Sequence, residues 1–192
     1  MATLRDYQIE IKDKAIYLLK EYKIAYLSME VRTGKTLTAL ATANEYGAKN
    51  VLFLTKKKAI ASIESDYKVL GCSFFLTVIN YEQVGNLLPV YDFVILDEVH
   101  SLGQFPVPAK KIKQVKSLCV GLPIIFLSGT PTPESYSQLF HQLYVSSYSP
   151  FQHTTFYKWA ADYVSVKKKF FFNRQINDYS FADEAKVKNA TD

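Results

Sequence analysis

Three short polar stretches carry residue types that could do chemistry on a phosphate. The first is MEVRTGKT, Met29 to Thr36. Glycine, lysine and threonine at the start of a helix-forming run offer backbone N–H groups and a positive helix terminus to an anion. Lys35 would reach the outer phosphates of a nucleotide and the Thr36 hydroxyl would hold Mg²⁺, with Arg32, Thr33 and Gly34 shaping the loop between them. The full phosphate-loop pattern asks for glycine where Met29 stands, and Gly-Lys-Thr also arises by chance. The second stretch is LDEVH, Leu96 to His100. Two adjacent carboxylates at the end of an apolar run are costly to place together unless a cation or a proton is shared. Asp97 facing Mg²⁺ and Glu98 orienting an attacking water would explain the pair, as would a plain cap on the segment that follows. The third is SGTPTPES, Ser128 to Ser135. Ser128, Gly129 and Thr130 can form a turn that senses a terminal phosphate, although the same residues make a good helix start.

Whether the three meet depends on the elements that carry them. Apolar residues recur at helical spacing from Asp6 to Tyr22 (Ile9, Ile16, Leu19), and a short apolar run, Ile24 to Leu27, leads into the first stretch. Thr36 to Tyr46 reads as helix, VLFLT as a buried strand, Lys57 to Leu70 as an amphipathic helix and FFLTVIN as a strand. Tyr81 to Leu88 then reads as a short helix, DFVIL as a strand, Ala109 to Leu118 as a helix, PIIFLS as a strand and Ser135 to Val145 as a helix. This alternation predicts an α/β fold, a parallel sheet wrapped by helices, with ligands at the carboxyl ends of the strands. Each of the three polar stretches follows an apolar strand, so all three are expected on one edge of the sheet. Past Pro150 the rhythm weakens. FQHTTFYKWAADYV looks helical, VKKKFFFNRQINDYS looks like a hairpin or an extended excursion, and FADEAKVKNATD is polar. The expected division is a nucleotide-binding domain over 1–150 and a connector over 151–192.

A chain of 192 residues with 48% hydrophobic and 21% charged residues can bury a single core, which excludes a disordered or collagen-like protein. Cys72 and Cys119 have neither CxxC spacing nor clustered histidines, so neither a zinc site nor a disulfide framework is implied, and a reducing cytoplasm fits. The N-terminus lacks the layout of a signal peptide and no apolar run approaches bilayer length, so a soluble protein with no membrane partner is expected. A formal charge of +5 is a mild bias towards polyanions. Tyr91, Asp92 and Trp159 read as structural, and His141 and His153 carry no discernible role.

With its motifs in this order, the chain resembles the first RecA-like domain of superfamily-two helicases and translocases over nearly its whole length. LRDYQ, Leu4 to Gln8, looks like the adenine-reading element of Swi/Snf-type DNA translocases. The resemblance implies that Gln8 reads adenine with Arg5 in support. MEVRTGKT resembles motif I, VLFLTKKKAI motif Ia, TVINYEQV the segment before motif II, DEVH a motif II of the DExH type, and LSGTPTPES motif III. VRTGKT and DEVHSLGQFPVPAKK are also similar to phage-encoded Swi/Snf-like helicases, which would place the protein in a host cytoplasm. In the remodeller branch the position of Met29 is commonly acidic, so Met29 is no sign of decay, whereas Arg32 stands where many relatives carry glycine.

The resemblance implies ATP and Mg²⁺ as ligands, with Lys35, Asp97, Glu98 and His100 as catalytic residues. His100 would link motif II to motif III through a hydrogen bond. It implies DNA, duplex favoured, as the partner, with Thr55, Lys56, Lys57 and Lys58 touching a phosphate backbone. Lysines at a helix N-terminus oppose its dipole, which points to a bound polyanion, and a solvated cluster reads equally well. Lys110, Lys111, Lys113 and Lys116 read as a solvated face. Lys167 to Lys169 beside Phe170 to Phe172 mix cations with aromatics as single-strand binders do, but an apolar docking surface for the second RecA-like domain is the preferred reading. Nothing from Phe151 to Asp192 resembles the second RecA-like domain and its arginine finger, worth about 10³–10⁵ in turnover in related P-loop enzymes. The chain alone is therefore expected to bind ATP and hydrolyse it poorly, as a fragment cut in the connector. Two other classes stay open: a catalytically silent DNA- or partner-binding module, and a different P-loop enzyme such as a GTPase or small-molecule kinase.

Overall fold

A computed structural model describes residues 3–86, 90–172 and 174–191. Helix α1 (Asp6–Tyr22) leads into β1 (Ile24–Ser28), α2 (Lys35–Tyr46), β2 (Asn50–Thr55), α3 (Ile60–Leu70), β3 (Phe75–Asn80) and β4 (Phe93–Leu96). Helix α4 (Ile112–Leu118), β5 (Ile124–Ser128), α5 (Gln138–Tyr144), α6 (Phe156–Tyr163), the hairpin β6 (Lys167–Phe171) and β7 (Arg174–Asp178), and α7 (Glu184–Thr191) complete the chain. A strand with no polar break can face water on neither side. FVIL and IIFLS accordingly form inner strands of a five-stranded sheet in the order β1-β5-β4-β2-β3, every pairing parallel.

Successive strand residues point to opposite faces, which splits the core into two layers. Ala25, Leu27, Val51, Phe53, Phe93, Ile95, Ile125 and Leu127 face α1, α2 and α3 through Leu19, Leu40 and Ile63. Leu52, Leu54, Val94, Leu96, Ile124 and Phe126 face the other way, against Val115 of α4, Phe140 of α5, Trp159 of α6 and Val187 of α7. The polar C-terminal stretch thus forms a helix with one residue in the core. Asp92 is structural as expected, its carboxylate accepting the N–H groups of Lys49 and Asn50 at the foot of β2.

Several helices start later than their sequence predicts. Lys57–Ala59 is a 3₁₀ turn ahead of α3, and the expected helix from Tyr81 is a single turn over Val84–Asn86, its last two residues lying outside the described ones. Helix α5 begins at Gln138 because the residues before it are bound by side chains. The Gln138 Oε1 accepts the N–H groups of Glu134 and Ser135, and the Ser135 hydroxyl accepts the Ser137 N–H. Helix α6 begins at Phe156, where the Thr155 hydroxyl caps the Lys158 N–H.

Among the described residues strand β1 has one neighbour, β5. The Lys23 carbonyl and the Met29 N–H bond to the β5 side, so the backbone groups of Ile24, Tyr26 and Ser28 point to the free edge. A groove of about 970 Å³ runs along that edge between Tyr22, Tyr26, Leu143 and Thr191.

Candidate nucleotide site

The loop between β1 and α2 is held from outside by α1. Gln8 is buried, its Nε2 donating to the Thr33 carbonyl at 2.9 Å and its Oε1 accepting the Arg5 N–H at 2.9 Å. The Tyr7 hydroxyl donates to the same Thr33 carbonyl at 2.8 Å. Gly34 has φ +80°, and a Cβ there would overlap the Gln8 amide, so glycine is required both by the backbone and by this close approach. Arg32 also lies in the left-handed region (φ 68°), which explains why glycine suits the position; its side chain is exposed and does not crowd the loop. Lys35 folds back across the loop, its Nζ donating to the carbonyls of Met29 at 3.0 Å and Glu30 at 3.1 Å. Thr36 follows in the first turn of α2.

The acidic pair is placed by β4 and β2. Leu96 stands opposite Leu54, which sets Asp97 beside Thr55. The Asp97 N–H donates to the Leu54 carbonyl at 2.8 Å, its own carbonyl accepts the Tyr81 hydroxyl at 2.8 Å, and its carboxylate accepts the Thr55 hydroxyl at 2.7 Å. Burial pushes the Asp97 carboxyl above its ordinary value and the Glu98 charge adds to this, while the Thr55 hydrogen bond and the Lys35 charge pull the other way. Thr55 is fully buried, so the expected contact with a nucleic-acid backbone gives way to a positioning role: its hydroxyl is spent on Asp97.

Glu98 takes a left-handed backbone (φ 51°), a strain of about 1–3 kcal/mol that is tolerated mainly where geometry matters. Its carboxylate lies 3.4 Å from His100 Nε2 and 3.6 Å from Lys56 Nζ. His100 Nδ1 is 3.1 Å from the Ser128 hydroxyl oxygen, which accepts the Thr130 N–H at 3.2 Å. The His100 ring thus stands between the Glu98 carboxylate and the Ser128 hydroxyl, one ring nitrogen towards each. The expected link from the acidic pair to the third motif is therefore present. The third motif also touches the loop: a Cβ on Gly129 would lie 3.4 Å from Val31 Cγ2 and 3.6 Å from Lys35 Nζ.

The structure thus brings Arg5, Gln8, Thr33, Gly34, Lys35, Asp97, Glu98, His100, Ser128, Gly129 and Thr130 into one contiguous set at the carboxyl ends of β1, β4 and β5. Lys57 and Lys58 stand exposed at the start of α3, at the end of β2. Sequence reasoning assigned no role to Tyr7 or Tyr81, although they lie within LRDYQ and TVINYEQV, because their partners Thr33 and Asp97 are distant in sequence. Thr55 as an anchor was recoverable only from the pairing of β2 with β4. Among the described residues no group of three or more His, Cys, Asp or Glu side chains could hold a metal ion. The hydroxyl of Thr36 and the carboxylate of Asp97 are an oxygen set that suits Mg²⁺, which takes one or two protein oxygens and fills its shell with phosphate oxygens and water. A buried carboxylate held above its ordinary range fits a place for such a cation.

Residues 1–69 match the family described as Type III restriction enzyme, res subunit. The SWI2/SNF2 ATPase core of Sulfolobus solfataricus, solved in complex with double-stranded DNA, has 15% identity and a TM-score of 0.67 over 84% of this chain and 39% of that one. The fold is shared with that ATPase core: a RecA-like parallel sheet wrapped by helices. The ATP-dependent Type ISP restriction-modification enzyme LlaBIII, bound to DNA, has 18% identity and a TM-score of 0.51 over 97% of this chain and 15% of that one. No curated protein matches. The RecA-like domain therefore spans well under half the length of these solved chains. Among its described residues no helix is long and apolar enough to cross a membrane.

Proposed function

We propose that this chain is the ATP-binding motor domain of an ATP-dependent DNA helicase or translocase of the DExH type, acting in the cytoplasm with a second RecA-like domain. The observation that carries the reading is the chain of contacts from Glu98 through His100 to Ser128 and Thr130. It joins the acidic pair to the turn beside the Lys35 loop, where the Ser128 carbonyl accepts the Met29 N–H. A structural phosphate loop has no use for such a link, whereas a motor must pass the state of its nucleotide to a moving part.

In this reading Lys35 leaves its loop carbonyls for the outer phosphates, and the N–H groups opening α2 receive them. Thr36 and Asp97 hold Mg²⁺, which supplies charge neutralisation at the phosphate oxygens. Thr55 and Tyr81 keep Asp97 in place. Glu98 orients the attacking water and takes its proton, with His100 fixing the direction of the carboxylate. Gln8 spends one amide N–H and one carbonyl lone pair on Thr33 and Arg5, which leaves one N–H and one lone pair for the Watson–Crick or Hoogsteen edge of adenine. Arg5 lies exposed beside it. Lys56, Lys57 and Lys58 contact DNA phosphates. DNA as the partner draws on the two solved relatives, both DNA complexes. An arginine finger would come from the second domain, so turnover by this chain alone is weak.

The test is Mg²⁺-dependent binding of fluorescent ATP and GTP, with turnover recorded with and without duplex DNA. The expected result is ATP binding that Lys35→Ala abolishes, preference over GTP, and little hydrolysis. Equal binding of GTP sinks the adenine role of Gln8, and nucleotide binding that survives Lys35→Ala sinks the site.

A further inference from the structure

The β6–β7 hairpin serves neither the nucleotide site nor the core. Among the described residues its two strands pair only with each other, and Lys167–Phe170 and Arg174–Asn177 are exposed on both faces. Phe170 is 77% exposed and Phe172 87% exposed, in a two-stranded hairpin of a kind that is marginal by itself in water.

The charges on the hairpin are sorted by face, since paired residues share a face and successive residues alternate. On one face, Lys169 pairs with Asp178 at 3.2 Å, and Lys167 lies over the Phe181 ring at 3.7 Å. On the other, Lys168 donates to the neutral Asn177 side chain at 2.6 Å, and Phe170 stands next along that face, across from Gln175. Neither of these two pairs contains an acidic residue. An exposed ring beside an uncompensated cation is matched by a polyanion that carries flat apolar groups, not by a purely apolar partner.

The base of the hairpin is tied firmly to the third motif. The carbonyl of Ser180 accepts the Ser135 hydroxyl at 2.7 Å, the carbonyl of Tyr179 accepts the Ser137 hydroxyl at 2.5 Å, and the Tyr179 ring packs on Phe156 and Tyr157. Ser135 and Ser137 follow directly on the segment that begins at Ser128.

We propose that the hairpin is a binding site for single-stranded nucleic acid, with Phe170 stacking on a base and Lys168, on the same face, holding an adjoining phosphate. A single strand is favoured over a duplex because only an unpaired base presents its face to a ring. The site goes beyond the contact assigned to Lys56, Lys57 and Lys58, and its anchoring places it one short segment from the residues that sense the nucleotide.

The test uses the full chain without nucleotide, so that it stands or falls separately from the ATP reading. Fluorescence anisotropy would follow a labelled oligothymidylate and a duplex of equal length at two salt concentrations. Phe170→Ala is expected to weaken oligothymidylate binding about tenfold and leave duplex binding unchanged, with Phe170→Trp restoring it. Lys168→Ala is expected to weaken it and flatten its salt dependence. Thermal melts of each variant check that the fold is intact, and Phe170→Leu, which keeps apolar area without the ring, separates stacking from packing by behaving like Phe170→Ala. The proposal is overturned by no binding of oligothymidylate, by unchanged binding in Phe170→Ala, or by an equal loss on duplex.

Discussion

Asp97 is a carboxylate that the fold buries before any cation arrives. Its raised pKa means that the ionised form disfavours the folded state at neutral pH, and that this penalty fades as pH falls through the folded value towards the unfolded one. Asp97→Asn keeps an oxygen for the Thr55 hydroxyl and removes the buried charge. The substitution should raise the melting temperature at pH 7 in the absence of Mg²⁺, and the gap to the unmodified chain should shrink in melts at pH 4. A gap that grows on acidification would contradict the assigned cause. At this scale the sequence was informative for side chains whose type is dictated by chemistry, such as Lys35, Asp97 and Glu98. It was misleading for Thr55, because a residue following an apolar strand looks exposed until the neighbouring strand end is known. Tyr7 and Tyr81 act through contacts distant in sequence, which no local pattern encodes.

The strands were legible because continuous apolar runs bounded by Gly, Asp or Lys leave little choice, and their parallel order followed from the helices between them. Helix starts were not legible where side chains compete for the first N–H groups, as Gln138 and Ser135 do ahead of α5. The loop after Glu98 shows how elements are pressed together. A Cβ at Gly103 would lie 2.9 Å from both the Gln138 Cβ and its carbonyl oxygen, and 2.8 Å from Gln142 Nε2. The backbone of Gly103 is ordinary (φ −77°), so the constraint is steric. Gly103→Ala should therefore push the turn carrying His100 away from α5 at a cost of about 1–3 kcal/mol, read as a lower denaturant midpoint with an unchanged slope. A neutral substitution would show that the packing here is loose.

At the scale of the whole molecule, the residues past Pro150 share the core of those before it. Trp159 is fully buried against Phe140, Phe151 and Phe156, and stacks on Tyr163 with centroids 5.1 Å apart. Trp159→Ala should cost about 3–5 kcal/mol and lower the melting temperature of the entire chain in one transition. A separate, low-temperature transition confined to the C-terminal third would show that this region folds on its own. The same scale bears on β1, which among the described residues has a neighbour on one side only. A strand laddered on one flank opens at lower free energy than one laddered on both, so the amides of Ile24, Tyr26 and Ser28 exchange with solvent while those of β4 stay locked. The Met29–Thr36 loop thus hangs from the less braced margin of the sheet, and the bonds from Tyr7 and Gln8 of α1 brace it from the other direction.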